Sequence, residues 1–208
     1  NDYVTKPIEA TELRMRVQAL TDLRNSVREQ LHLEAAWLQA QIQPHFLFNA
    51  LNAISAMSDI DVMKMKELLL EFGNYLRASF DFHNLEQLVP LEQELDLVRS
   101  YLFIEKARFE NRLSVIWETE ACESLHIPPL SIQPLVENAV KHGILKRASG
   151  GEIRIRIVIH EHTADIAVID NGVGMSEETI HRLFNRTPEQ RTGVGMYNTD
   201  RRLKQIYG

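Results

Sequence analysis

A proline inside a long helical pattern constrains how the first half of the chain can fold. Residues 38–54, LQAQIQPHFLFNALNAI, have helical spacing of apolar residues, yet Pro44 stands near their centre. A proline there removes one backbone hydrogen bond and costs about 3 kcal/mol, so a kink is expected. His45 follows directly, and Asn49 lies one turn later on the same helical face. Taken alone, His45 is either a satisfied core histidine or a reactive side chain.

Composition limits the classes of protein to which the chain can belong. Its 208 residues are 44% hydrophobic and 25% charged, which suits one large domain or two small ones. The net charge of −6 offers no basic surface for nucleic acid, and no run of 18 apolar residues would span a membrane. The single cysteine, Cys122, excludes an internal disulfide framework. We expect a cytoplasmic protein that binds no nucleic acid and contains no membrane segment.

The first half of the chain is predicted to be helical. A coiled-coil linker is indicated by apolar residues at heptad-like spacing, namely Leu20, Leu23, Val27 and Leu31. A further amphipathic helix is predicted from apolar residues three and four apart, namely Val62, Met65, Leu69, Phe72, Leu76 and Phe80. A helical hairpin cannot bury such a face alone, so we expect a homodimer with a four-helix bundle. Packing of this face on the C-terminal half of the same chain is the alternative.

The second half alternates helical and strand patterns, with a boundary expected in the linker of residues 82–90. The predicted order is a helix from Leu91 to near Asn111, a strand over 113–120, a helix from Ile132 to Gly143, strands over 153–160 and 164–169, and a last helix ending at Tyr207. Residues beyond Asp170 lose periodicity until about Gly195. This order is typical of an α+β sandwich.

The predicted helix at Ile132–Gly143 carries the first of three clusters that point to a phosphate ligand. The Asn138 carboxamide is a neutral oxygen ligand that Mg²⁺ accepts beside phosphate oxygens. Lys141, three residues on, is long enough to reach a phosphate. His142 is either a second phosphate contact or a cap of the helix C-terminus.

Two glycine-rich clusters follow. Asp170 comes directly after a strand, where its carboxylate can accept a hydrogen bond from an exocyclic amine such as that of adenine. Gly172 and Gly174 let the backbone approach a flat ring. Gly193 and Gly195 open a helix and direct its amides at an anion, typically a phosphate. Each cluster is weak evidence alone, but their order and spacing together are specific.

That order and spacing resemble the N, G1 and G2 boxes of the Bergerat ATP-binding fold, which gyrase, Hsp90, MutL and histidine kinases share. The resemblance implies that Asn138 binds Mg²⁺, that Asp170 recognises adenine, and that residues 176–195 form a mobile ATP lid. Leu183 and Phe184 fall where the kinases carry their F box. Pro134 stands where gyrase-like ATPases carry a glutamate base, which favours transfer to a side chain over hydrolysis by water.

Three segments together resemble the LytS-like sensor histidine kinases: QIQPHFLFNALNAI, PPLSIQPLVENAVKHGI and GVGMYNTDRRLKQIYG. The resemblance covers roughly residues 37–208 and implies that His45 is the phosphoacceptor, with Mg-ATP as donor and a response regulator, typically of LytTR type, as partner. An imidazole is mostly a neutral nucleophile near neutral pH. Asn49 either positions water for dephosphorylation of the regulator or bonds to a neighbour on the helix. Members of this group continue beyond RLKQIYG into further strands, so we expect a C-terminally incomplete domain.

The N-terminus, NDYVTKP before a helix, resembles the last strand and helix of a receiver domain, in which a lysine, here Lys6, contacts a phosphorylated aspartate. Any strand–turn–helix with proline in its first turn is the alternative. The predicted domains are a receiver tail and coiled-coil linker (1–30), dimerisation and phosphotransfer helices (31–82) and an ATP-binding domain (88–208). The rival functions are a Bergerat-type ATPase switch and a non-catalytic dimerisation scaffold.

Overall fold

The structure is a computed structural model, and it describes residues 15, 16, 18, 21, 24, 44–81, 88–120, 125–161, 163–184, 199–200, 203–204 and 206–207. The chain divides into two compact units, residues 1–47 and 48–208. Several predictions lie outside the described residues: the N-terminal strand with Lys6, most of the coiled-coil linker, and the cluster with Gly193 and Gly195.

Two helices form the predicted hairpin region. Helix α1 spans Pro44–Met57 and helix α2 spans Val62–Asp81. Pro44 is the first described residue of α1, so the kink expected before it lies outside the described residues. Asp61 caps α2, since its Oδ1 atom accepts hydrogen bonds at 3.0 Å from the amides of Met63 and Lys64.

Helix α2 packs along helix α3, Leu91–Phe109, of the same chain. The side chains of α2 that are buried are Leu68, Phe72 and Tyr75, spaced four and three residues apart. The helical period is confirmed, and Phe72 belongs both to the predicted face and to the buried one. Leu69, also predicted on that face, is 53% exposed on this chain, so the face buried against α3 is only partly the predicted one. The three successive leucines at 68–70 lie on different sides of the helix, so the spacing of apolar residues does not identify which of them is buried.

A three-stranded sheet follows α3 and a short 3₁₀ turn, Glu110–Arg112. Its strands are β2 (Leu113–Thr119), β4 (Gly151–Ile159) and β5 (Ala164–Asp170), in the order β2-β4-β5, with β2 parallel to β4 and β5 antiparallel to it. Two further strands, β1 (Val89–Pro90) and β3 (His126–Ile127), pair with each other in an antiparallel manner. These two were not predicted, because two residues show no period.

The interior side chains of β4 define the core of the second unit. Ile153, Ile155 and Ile157 are buried, as the two-residue period of a strand requires, and α3 contacts the neighbouring strand β2. The predicted strands are confirmed with shifts of a residue or two at their ends. The α+β class, with helices followed by a mixed sheet, is confirmed.

Two helical segments differ from the prediction. The helix expected over Ile132–Gly143 is an α-helix α4, Gln133–Asn138, continued by a π-helical turn, Ala139–Gly143, and a 3₁₀ turn, Ile144–Lys146. Residues after Asp170 were expected to lack regular structure, but Glu177–Phe184 form helix α5. Ser176 starts α5 by accepting a hydrogen bond at 3.3 Å from the amide of Thr179, a capping signal that the sequence contains. The described residues between 199 and 207 are helical, as predicted.

Candidate nucleotide site and phosphoacceptor helix

Asn138, Lys141 and His142 lie where helix α4 passes into the π-helical turn. Asn138 ends α4 and is half-buried, as is Lys141, whereas His142 is exposed. Lys141 Nζ lies 3.9 Å from Glu137 Oε2, and Gln133 Nε2 donates a hydrogen bond to Glu137 Oε1 at 3.0 Å. Burial lowers the pKa of Lys141, while the negative charge of Glu137 acts to raise it. The Lys141 ammonium is thus partly shielded from water. It lies beside the Glu137 carboxylate, whose other oxygen is fixed by the hydrogen bond from Gln133.

The π-helical turn was not foreseen from the sequence. Residues 139–143 have the helix propensities of an ordinary helix, and no local signal in AVKHG marks the wider turn. π-helical turns are rare and often occur at functional sites, because they reorient side chains relative to an α-helix. Here the wider turn holds Lys141 and ends at Gly143, the residue that meets the second cluster.

Asp170 and the loop after it pack directly on Gly143. Asp170 ends β5, is exposed, and accepts a hydrogen bond through Oδ1 from the amide of Gly172 at 2.8 Å. A Cβ atom on Gly143 would lie 2.4 Å from Asp170 Oδ1, and one on Gly172 would lie 2.2 Å from the carbonyl carbon of Gly143. Val173 donates its amide to the Gly143 carbonyl at 3.2 Å. Two of the three predicted clusters therefore adjoin, through contacts that only glycine permits.

Gly174 serves a different purpose from Gly172. Its φ angle is +71°, a backbone conformation that side chains disfavour, and a Cβ atom there would meet nothing within 4 Å. The glycine is needed for the turn rather than for a close approach. Gly193 and Gly195, the third predicted cluster, lie outside the described residues.

Asn171 and Arg147 anchor the same loop, and sequence reasoning missed both. Asn171 Oδ1 accepts a hydrogen bond at 2.8 Å from the amide of Glu152, and the Asn171 amide donates to the Glu152 carbonyl at 3.2 Å. The Arg147 guanidinium donates to the Asn171 carbonyl. An asparagine after a strand is a turn signal that the sequence did contain.

A buried carboxylate, Glu94 on α3, holds the segment that leads into α4. It is 0% exposed and accepts hydrogen bonds from the amides of Ile132, at 3.0 Å, and Leu130. Burial raises the pKa of Glu94, and the amide donors act against this rise. Leu130, at a φ of 56°, also accepts a hydrogen bond from Thr199 Oγ1 at 3.4 Å. Glu94 was missed, although a carboxylate within the apolar stripe of a predicted helix is a signal.

His45 lies on the exposed side of α1. The buried side chains of this helix are Phe46, Ala50 and Ile54, spaced four residues apart, and Asn49 is half-buried. His45 is therefore accessible, and its interpretation as a core histidine is wrong. The His45 side chain is thus at the surface of the described residues.

The described residues contain neither a preformed metal cluster nor a membrane-spanning helix. No three His, Cys, Asp or Glu side chains among them are grouped so as to hold a metal ion. None of the helices in the described part is long and apolar enough to cross a membrane. A cation bound near Asn138 would need ligands beyond the protein, such as phosphate oxygens.

Comparisons with known proteins agree with this arrangement. The family model for histidine kinases matches residues 33–113, and the model for histidine kinase-, DNA gyrase B- and HSP90-like ATPases matches residues 130–208. The putative uncharacterized protein YwpD of Bacillus subtilis is 40% identical over 100% of this chain and 74% of its own length. The sensor protein LytS of Enterococcus faecalis is 39% identical, and the sensor histidine kinase/phosphatase LytS of Staphylococcus aureus is 38% identical. Each LytS match covers 82% of this chain but only 29% and 30% of those longer relatives.

Proposed function

Because the chain belongs to the histidine kinase family, we propose that it phosphorylates His45 from ATP and passes the phosphoryl group to an aspartate of a response regulator. Both modules of a two-component sensor kinase are present in the chain, the kinase segment at 33–113 and the ATPase-like segment at 130–208. The observation that carries the proposal is the Asp170–Gly143 junction, where two of the predicted clusters contact each other inside the second match. An exposed His45 inside the first match supports its role as acceptor.

The residues at the junction fit a bound Mg-ATP. One oxygen of Asp170 is fixed by the Gly172 amide, and the exposed carboxylate remains able to accept a hydrogen bond from the adenine amine. Asn138 would hold Mg²⁺ through its carboxamide oxygen. When bound, Mg²⁺ neutralises phosphate charge. Lys141 would contact a phosphate, since its half-buried side chain lies beside Glu137 at the end of α4.

The other predicted site residues complete this proposal. Gly174 would shape the turn beside the base, and Gly193 and Gly195 would direct backbone amides at phosphate. His142, exposed at the end of the π-helical turn, would contact phosphate or cap that turn. Transfer of a phosphoryl group relies mainly on positioning and charge neutralisation, so the chain needs to bring an accessible imidazole in line with the donor. Asn49 would position water when the regulator is dephosphorylated.

Homodimerisation is the state we propose for the kinase. Helix α2 packs on α3 by one face, yet it exposes Leu69 and Leu70, and α1 exposes Phe48. A second copy would cover these side chains, as in a helical bundle. We further propose a cytoplasmic location, where ATP is available, a LytTR-type regulator, and a receiver-domain tail with a coiled-coil linker over residues 1–30.

The direct test is incubation of the chain with γ-labelled ATP and Mg²⁺. We expect label that is acid-labile and alkali-stable, as phosphohistidine is, on the parent chain and none on His45→Gln. His160→Gln is the matched control, because His160 is an exposed histidine that pairs with Asp165 on the sheet. This control should take label as the parent does.

Three other results would overturn the proposal. Label of equal amount on His45→Gln would mean that another residue is the acceptor. Steady phosphate release without protein label would favour the ATPase switch, and absence of any nucleotide binding would favour the scaffold.

A further inference from the structure

A buried polar cluster lies beside the proposed phosphate contact, and the proposed function leaves it unused. We call it the interhelix cluster; its members are Tyr75 on α2, Tyr101, Glu105 and Arg108 on α3, and Glu137 and Lys141 at the site. The rings of Tyr75 and Tyr101 lie 6.4 Å apart between centroids. Burial raises the pKa of both phenols, and the nearby negative charges of Glu137 and Glu105 raise them further. The cluster thus combines two carboxylates and two cations at buried or half-buried positions.

Glu105 is the most deeply buried charged member of this cluster. Its residue is 2% exposed, and its Oε1 atom accepts a hydrogen bond from Arg108 Nη1 at 2.7 Å. Its second oxygen, Oε2, is buried and has no hydrogen-bond partner among the described residues. A carboxylate oxygen in that state is costly unless a nearby charge compensates for the lost water. Besides Arg108, the positive charge of Lys141 also acts on Glu105.

Two carboxylates act on Lys141: Glu137 on the same helical segment and Glu105 on helix α3. Glu137 lies 3.9 Å away, too far for a good hydrogen bond, so it attracts the ammonium without fixing its direction. Glu105 also attracts the ammonium, whereas Arg108 repels it. Two carboxylates on different helices restrict a flexible lysine side chain more than either alone, because the side chain must satisfy both.

We propose that Glu105 is a positioning residue that, together with Glu137, holds the Lys141 ammonium in place for a phosphate of ATP. The inference rests on the proposed function, in which Lys141 contacts phosphate. It makes α3 part of the nucleotide site, although Glu105 itself touches no nucleotide. A purely long-range effect would have the opposite sign, because removal of a negative charge near the site would strengthen the binding of an anionic ligand.

The test is a double-mutant cycle with Glu105→Gln and Lys141→Met, read as the dissociation constant of Mg-ATP on the full chain. We expect Glu105→Gln to weaken Mg-ATP binding about fivefold and Lys141→Met to weaken it about tenfold. The double variant should bind no more weakly than Lys141→Met alone. Adenosine, which lacks phosphates, should bind Glu105→Gln as it binds the parent.

A matched control comes from the same helix. Glu92→Gln removes an exposed carboxylate that pairs with Arg99, and it should leave Mg-ATP binding unchanged. If Glu105→Gln does not fold, as judged by thermal unfolding, Glu105→Asp takes its place. This variant keeps the charge but withdraws it by one methylene group, so we expect a smaller loss that again disappears when Lys141→Met is present.

The outcomes separate failure of the inference from failure of the proposed function. Unchanged or tighter Mg-ATP binding by Glu105→Gln, with Lys141→Met weakened, would overturn the positioning role alone. A loss that persists in the Lys141→Met background would also overturn it, because it would show a structural effect. Unchanged binding by Lys141→Met would overturn both the phosphate contact and the inference that depends on it.

Discussion

The junction around Asp170 and the helix that carries His45 present their functional side chains in opposite ways. Asp170 is fixed by the Gly172 amide at 2.8 Å and lies against Gly143, whereas His45 stands exposed on α1. A carboxylate that selects a base must keep one orientation, and glycine contacts impose it. An acceptor histidine must be reached by the nucleotide and then by the regulator, so it needs access. A residue that binds the base therefore needs a fixed orientation, whereas a residue that accepts the phosphoryl group needs to be accessible.

The largest expected effect tests how the helical region is anchored. Leu68 is fully buried against the rest of its unit, while its neighbour Leu69 is 53% exposed. We expect Leu68→Ala to lower the free energy of unfolding by about 3 kcal/mol and Leu69→Ala by less than about 1 kcal/mol. Urea denaturation at concentrations where the parent chain is monomeric measures both. Equal losses would mean that α2 does not pack by the face described.

The second-largest expected effect tests Asp170, the side chain that is held in one orientation. Asp170→Asn keeps an oxygen for the Gly172 amide but loses the charge that would receive the adenine amine. We expect about 30-fold weaker Mg-ATP binding, since a hydrogen bond to a charged group contributes about 1.5–3 kcal/mol. Calorimetric titration measures it. The control, Asp165→Asn on the same strand, should bind as the parent does, and a matching loss there would refute the assignment.

A smaller effect is expected from Gly143→Ala, which places a methyl group 2.4 Å from Asp170 Oδ1. The carboxylate must move, so Mg-ATP binding should weaken about tenfold and the free energy of unfolding should fall by about 1–2 kcal/mol. Gly73→Ala on α2 is the matched control, because its added Cβ would meet nothing within 4 Å. There we expect a gain of up to about 1 kcal/mol. Similar losses at both glycines would contradict the account of a tight junction.

The smallest effect concerns pH. Burial raises the pKa of Glu105 above its ordinary value of 4.5, although Arg108 and Lys141 act against the rise. The folded chain therefore holds this proton more tightly than the unfolded chain does. The resulting stabilisation is complete below pH 4.5 and is lost as pH rises through the folded-state pKa. Glu105→Gln should flatten this part of the stability profile, measured by urea denaturation from pH 4 upwards; an unchanged slope would contradict the assignment.

Local chemistry made part of the site predictable. The positions of Asp170 at the end of a strand and of Asn138 on a helix were predicted from periodicity, and the structure has both there. Their assignment to a nucleotide site came from the order and spacing of the clusters together and stays a prediction. The π-helical turn was not predictable, because its sequence has the propensities of an ordinary helix. The buried leucine of α2, Leu68, was not identified, because three successive leucines at 68–70 fit several faces.

Long-range polar contacts were the second feature that the sequence could not predict. Glu94 reaches the amide of Ile132, 38 residues away, and no local pattern encodes such a partner. Yet both Glu94 and Glu105 fall within the apolar stripe of the helix that begins at Leu91. A carboxylate in that position predicts a buried polar contact, even when its partner cannot be named.

The most direct test of the central comparison measures nucleotide binding and phosphoryl label on the same sample of His45→Gln. If the junction binds the nucleotide and His45 accepts the phosphoryl group, this variant should bind Mg-ATP within about twofold of the parent, because the binding residues are unchanged. It should take no acid-labile label. Parent-like binding together with parent-like label on His45→Gln would contradict the account, because the acceptor would then be another residue.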